Sequence, residues 1–194
     1  MADLALTPKN TALVIIDLQH GVAGMNVAPH TAAAVIANTV KIAAPLKAGG
    51  GLIVPVRVAF SAGGADRLAQ PTDQQMQVPP GGMPANWSDL VPEIAALAAD
   101  VVITKRQWGA FHGTELDLQL RRRGIDTIIL TGIATNFGVE GTGREAWQHG
   151  YAVVFAEDAI SAASADNHKF AVEKIFPRLG RTRPTAEIVA AIGG

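Results

Sequence analysis

The chain has 194 residues and a formal net charge of −1, with 16 Lys and Arg against 17 Asp and Glu. That length suits one domain, residues 1–194, whose core needs no disulfide or metal staple, and the balanced charge argues against a nucleic-acid partner. The sequence contains no cysteine, which excludes disulfides, thiolate metal sites and thiol nucleophiles.

A hydrophobic fraction of 48% against 17% charged residues describes a packed globular protein rather than a disordered one. The N-terminus lacks a basic segment followed by a long apolar run, so no signal peptide is expected. No stretch reaches the ~18 apolar residues of a membrane span. The expected compartment is the cytoplasm, with no membrane partner.

The first element is TALVIID, residues 11–17, a short β-branched run of the kind buried on both faces of a parallel sheet. A helix follows from about Thr31 to the glycines at 49–51. The second strand, 52–60, carries Pro55, which removes a ladder donor and places this strand nearer an edge. Residues 61–86 are rich in Gly, Pro, Gln and Asp and read as a long binding loop or lid. A helix is expected over 88–99, then a third strand over 101–105. The loop RQWGAFHGT leads to a helix ending at Gly124, whose Arg121-Arg122-Arg123 run complements the C-terminal helix dipole. The fourth strand is 127–133. A turn, ATNFG, opens the next helix, and the fifth strand is 151–159. A helix starting near Ser164, a short strand near Arg181 and a last helix begun by Pro184 complete the chain. Strands alternating with helices predict an α/β fold: a three-layer α/β/α Rossmann-like sandwich on a six-stranded, mainly parallel sheet of order 3-2-1-4-5-6.

Ligands of such sheets bind beyond the carboxyl ends of the strands. Asp17 and Gln19 stand there after the first strand, Arg57 after the second, Lys105 with Trp108 and Phe111 after the third, and Ala134 to Gly138 after the fourth. Each has a plain structural role as an alternative: Asp17 or Asp158 as a cap, Lys105 reaching to water, Trp108 and Phe111 as core. His112 has no second histidine at ligand spacing. The fourth-strand turn is the stronger signal, because a glycine-bearing turn at a helix start aims backbone N–H groups at one spot.

DLQ after the first strand, TK at the end of the third and TGIATNFGVEGTGREA after the fourth resemble the isochorismatase-like hydrolases of the cysteine hydrolase superfamily. The likeness covers nearly the whole chain in order and spacing. RQWGAFHGTELDLQLRRRG is similar to one bacterial branch of that family. The resemblance implies a catalytic aspartate at Asp17, its lysine at Lys105, and a non-proline cis peptide between Ile133 and Ala134 that turns the Ala134 N–H into the pocket. Most of the family has its cysteine nucleophile where this chain has Gly138. The nearest hydroxyls, Thr135 and Thr142, have no histidine base at recognisable spacing. The Asp/His metal cluster of the nicotinamidase members has no counterpart in VRVAFSAGG, so neither metal nor other cofactor is expected.

Isochorismatases proper resemble this chain in lacking a thiol at that helix start, although a His follows their turn alanine where this chain has Thr135-Asn136. The reading is an acid-catalysed hydrolase of a small vinyl ether or related metabolite. Asp17 is the acid, Lys105 its electrostatic partner, and Ala134 and Gly138 the N–H donors. Gln19, Arg57, Trp108, Phe111, Thr135 and Asn136 line the substrate site. The alternatives are a catalytically silent small-molecule-binding or regulatory homologue of the amidases, and an interaction role through subunit contacts. The resemblance implies a homodimer or larger homo-oligomer.

Overall fold

A computed structural model describes residues 4–74, 78 and 81–193. Its frame is a six-stranded sheet in the order β3-β2-β1-β4-β5-β6, built from β1 (Thr11–Ile16), β2 (Leu52–Val58), β3 (Ile103–Lys105), β4 (Thr127–Ile133), β5 (Ala152–Ser161) and β6 (Arg181–Arg183). Every pairing is parallel. The expected fold class and strand order are therefore those observed.

β1 is the axis of the sheet. All six of its residues are buried, which is why its sequence is a continuous apolar run rather than an alternating one. β2 lies one position in from the edge strand β3. Pro55 faces Ile15 of β1, and β3 begins to pair only at Val56, one residue later. Among the described residues seven α-helices cover the sheet: α1 (His20–Ala23), α2 (Ala32–Ala48), α3 (Pro92–Ala95), α4 (Leu116–Arg122), α5 (Glu140–Gln148), α6 (Ala165–Phe170) and α7 (Thr185–Ile192). Alternate strand residues feed two separate cores. Leu13, Ile15, Ile53 and Ile129 pack with Ile42 and Leu46 of α2 and Ile188 of α7. Val14, Ile16, Val54, Val56 and Leu130 pack on the other face with Leu116, Leu120, Val139 and Phe155.

α2 shows how its boundaries arise. Thr31 caps it by accepting a hydrogen bond from the Ala34 N–H at 3.2 Å. Its buried residues, Val35, Thr39, Ile42, Ala43 and Leu46, recur every three to four positions and form one face. It stops before Gly50, whose φ of 85° is left-handed.

Two expectations change. The helix expected over 88–99 is a single turn, α3. The chain before it is drawn out alongside residues 18–21: the Val91 N–H donates to the Leu18 carbonyl and Leu90 bridges Gln19. The chain after it turns left-handed at Ala98, φ 47°. The helix near Ser164 is broken as well. α6 gives way to a π-helical turn at Ala171–Ile175 and a 3-10 turn at Phe176–Arg178 that contains Pro177. Of the loop expected over 61–86, residues 75–77, 79 and 80 lie outside the described residues. Among the described residues no helix is long and apolar enough to cross a membrane.

Candidate active site

β1 ends at Ile16 because Asp17 takes a left-handed conformation, φ 52°. The peptide stays anchored: the Asp17 N–H donates to the Val56 carbonyl at 2.9 Å, and the Gln19 N–H donates to the Asp17 carbonyl at 2.8 Å. A non-glycine residue at such an angle is uncommon and needs surrounding structure to hold it. Gln19 supplies much of that. It is fully buried. Its Nε2 donates to the carbonyls of Val58 and Trp87 at 3.0 and 3.1 Å, and its Oε1 accepts from the Val58 N–H at 2.8 Å. Gln19 thus ties the ends of β1 and β2 to the far arm of the long loop.

Lys105 ends β3 on the same side of the sheet as Ile103. Its side chain is 1% exposed, and Nζ lies 2.8 Å from Asp17 Oδ2. Nζ also donates to the Trp108 carbonyl at 2.6 Å, so a lysine that reads as reaching for water is turned inward. Two opposed influences act on Asp17. Burial pushes its carboxyl up, and the charge and hydrogen bond of Lys105 pull it down. Burial prevails, and the carboxyl is raised from 3.8 to about 6. Asp17 Oδ1 is buried without a hydrogen-bond partner among the described residues.

The third component comes from the turn after β4. Gly132 has φ 115°, and a Cβ there would lie 2.0 Å from the Ile16 carbonyl oxygen, so β4 passes β1 more closely than any side chain permits. The Ile133–Ala134 peptide is cis. A π-helical turn, Thr135–Val139, then leads into α5. Gly138 arrives beside the ion pair. A Cβ on it would lie 3.3 Å from both Asp17 Oδ2 and Lys105 Nζ, and 2.8 Å from Ile16 Cγ2. α5 also holds the loop after β3. Thr142 Oγ1 accepts from the Ala110 N–H at 3.1 Å and donates to the Gly138 carbonyl at 2.7 Å, while Glu145 accepts from the Phe111 N–H at 2.9 Å.

The structure therefore brings Asp17, Lys105 and Gly138 to one point, with Ala134 at the start of the same turn. The expected lining residues divide. Trp108 is 67% exposed and packs on Phe137, ring centroids 4.8 Å apart, at the outer side of the turn. Asn136 is half-buried and its Oδ1 has no partner among the described residues. Phe111 does not line the pair: its ring is in the core, stacked on His149 and tilted against Tyr151. Arg57 is on the opposite face of the sheet from Lys105. It is in register with Thr104 and donates to the Thr104 hydroxyl at 3.2 Å, and strand alternation puts 104 and 105 on different sides. Gln19 is fully engaged in the clamp described above. Thr135 is buried, and its hydroxyl lies 3.0 Å from His168 Nδ1.

That last contact leads to a cluster that no sequence motif marks. His30, Glu157 and His168 point potential ligand atoms at one another within 4.8 Å. Sequence spacing gives no hint of it, since the three come from the loop before α2, from β5 and from α6.

Known proteins share the sequence and the fold of this chain. The family model described as the isochorismatase domain matches residues 11–187. The chain is 49% identical over 189 residues to the uncharacterized isochorismatase family protein YecD of Escherichia coli O157:H7, covering 97% of this chain and 100% of that one. It is 47% identical over 192 residues to the uncharacterized isochorismatase family protein YwoC of Bacillus subtilis (strain 168), covering 99% of each. The solved structure of an isochorismatase family protein from Burkholderia thailandensis superposes with a TM-score of 0.92 at 41% identity, covering 100% of both chains. A family model matched over residues 11–187 and two relatives aligned over nearly the whole chain make this chain a member of the isochorismatase family.

Proposed function

We propose that the protein hydrolyses a small vinyl ether or related metabolite by acid catalysis, with Asp17 as the proton donor. The observation that carries this reading is the Asp17 carboxyl, raised to about 6 although a lysine ammonium lies 2.8 Å away. Such a group keeps roughly a tenth of its molecules protonated near pH 7, and a pKa near the working pH suits general acid catalysis. Gly138 supports the same reading. It is where the resemblance places a thiol in the amidase members, and a route through a thioester needs a nucleophile that this chain does not have there.

In the proposed reaction the Asp17 proton passes to the methylene carbon of the enol ether. The oxocarbenium ion formed is attacked by water, whose proton returns to Asp17. The hemiketal then collapses to a keto acid and an alcohol. Lys105 holds the carboxylate in place and balances its charge once the proton has left. Asn136, within the turn, and Trp108, packed against it, are the residues proposed to meet the substrate.

Incubation with isochorismate and simpler enol ethers, with detection of released pyruvate, tests the proposal. Turnover should fall about tenfold per pH unit above 6 as Asp17 ionises, and Asp17→Asn should abolish it. No release from any enol ether, or an undiminished Asp17→Asn variant, defeats it. A second reading, a silent binding protein, is favoured by one observation: the Ile16 methyl fills part of the space beside Gly138. A tightly retained metabolite together with no turnover would select it.

A further inference from the structure

We propose that His30 Nε2, Glu157 Oε1 and His168 Nε2 form a binding site for a divalent transition metal of the zinc class. Glu157 Oε1 lies 3.3 Å from His30 Nε2 and 3.4 Å from His168 Nε2. Both are long for charge-assisted hydrogen bonds, which contract to about 2.7–2.9 Å. These two distances match the ~3.3–3.4 Å edge of a tetrahedron whose metal–ligand bonds are about 2.0–2.1 Å, and all three ligand atoms lie within 4.8 Å of one another. One carboxylate oxygen is thus placed between two imidazoles at coordination spacing.

The supporting shell has the form that metal-bound histidines require. His168 is 4% exposed, and its other ring nitrogen, Nδ1, is 3.0 Å from the buried Thr135 hydroxyl. With Nδ1–H donating to Thr135, Nε2 turns its lone pair toward Glu157. A cation between them satisfies both. His30 is held from behind, its carbonyl accepting from Ser161 Oγ at 2.7 Å, and it stands edge-on to His168 with ring centroids 5.5 Å apart. Two imidazoles and one carboxylate suit zinc, cobalt, manganese or iron rather than calcium or magnesium, which take oxygen ligands. The His30 and Glu157 side chains are 28% and 36% exposed, so the remaining coordination position faces solvent and can take water or a small anion.

Neither Asp17 nor Lys105 is among the three ligands, and the set is distinct from the cluster that the family resemblance would place after the second strand. Its link to the turn at 133–138 is Thr135. A bound ion would fix α6, β5 and the loop before α2 around that residue.

Tag-free protein, stripped by chelator and dialysed against Zn²⁺, should retain one equivalent of metal, read by elemental analysis. Cobalt substitution should give the visible absorption of a four-coordinate N/O site. His30→Ala and Glu157→Gln should each weaken Zn²⁺ binding in a chelator competition by more than about 10–100-fold, and Thr135→Val by about that factor, as expected for an outer-shell partner. His30 is half-buried at the surface, so its variant tests the site even if His168→Ala fails to fold. No retained metal in the unmodified protein, or retention unchanged in His30→Ala and Glu157→Gln, overturns the assignment.

Discussion

The Asp17 carboxyl links the pH dependence of stability to the chemistry proposed for it. In the folded protein it is raised from 3.8 to about 6, a difference worth about 3 kcal/mol. Between those values the folded chain holds a proton that the unfolded chain has released. The contribution is therefore fully present below about 3.8 and is lost as pH rises through about 6. Asp17→Asn removes the titration while keeping the side-chain shape. Urea unfolding of the two proteins at steps from about pH 4 to about pH 7 should show the unmodified protein losing about 2–3 kcal/mol relative to the variant across that window. The absolute stability of the variant does not matter, because Lys105 without its counter-ion lowers it at every pH. A stability difference that stays constant with pH would mean that Asp17 is not raised. The acid-catalysed reading would fall with it.

Further substitutions test the packing of the site. Gly138→Ala puts a methyl 2.8 Å from Ile16 Cγ2 in the central strand and should lower stability by about 1–3 kcal/mol, seen as a fall in the urea midpoint. Combined with Ile16→Ala, the two effects should fall short of their sum by at least about 0.5 kcal/mol. Gly132→Ala drives a Cβ to 2.0 Å from the Ile16 carbonyl and should cost on the order of 4 kcal/mol or more, seen as insoluble expression or a collapsed melting temperature. Gln19→Ala leaves the Val58 N–H and two carbonyls unpaired, at about 1–3 kcal/mol for each buried group that water cannot reach. Faster proteolysis of the loop preceding Trp87 should accompany that loss.

The sheet was legible because β1 and β4 are short, β-branched, mostly apolar runs, the pattern of strands buried on both faces. Asp17, Lys105 and the turn to Gly138 were legible for a related reason, since they stand at strand ends of an open parallel sheet, and the family resemblance agrees. Arg57 was misplaced because a strand-end position does not reveal which face a side chain takes; one residue of register separates it from Lys105. Phe111 lies beyond its strand, where periodicity no longer applies and docking on α5 decides. The helix expected over 88–99 failed to a tertiary effect, the pairing of residues 90 and 91 with 18 and 19. His30 and His168 were invisible for a simpler reason. Each meets Glu157, 127 and 11 residues away along the chain, and no local spacing rule spans such distances.

The 2.8 Å approach between Ile16 Cγ2 and the missing Cβ of residue 138 also bears on what selection can reach from this sequence. A side chain gained at 138 alone meets a methyl of the central strand that must shift to admit it. Trimming Ile16 first leaves a hole in a close-packed core, at about 2–5 kcal/mol for an isoleucine cut to alanine. Each single step is a loss, and natural proteins stand only a little above their stability threshold. The two positions form a valley: a lineage with glycine at 138 and isoleucine at 16 stays without a side chain there unless both change together or an unrelated stabilising substitution comes first.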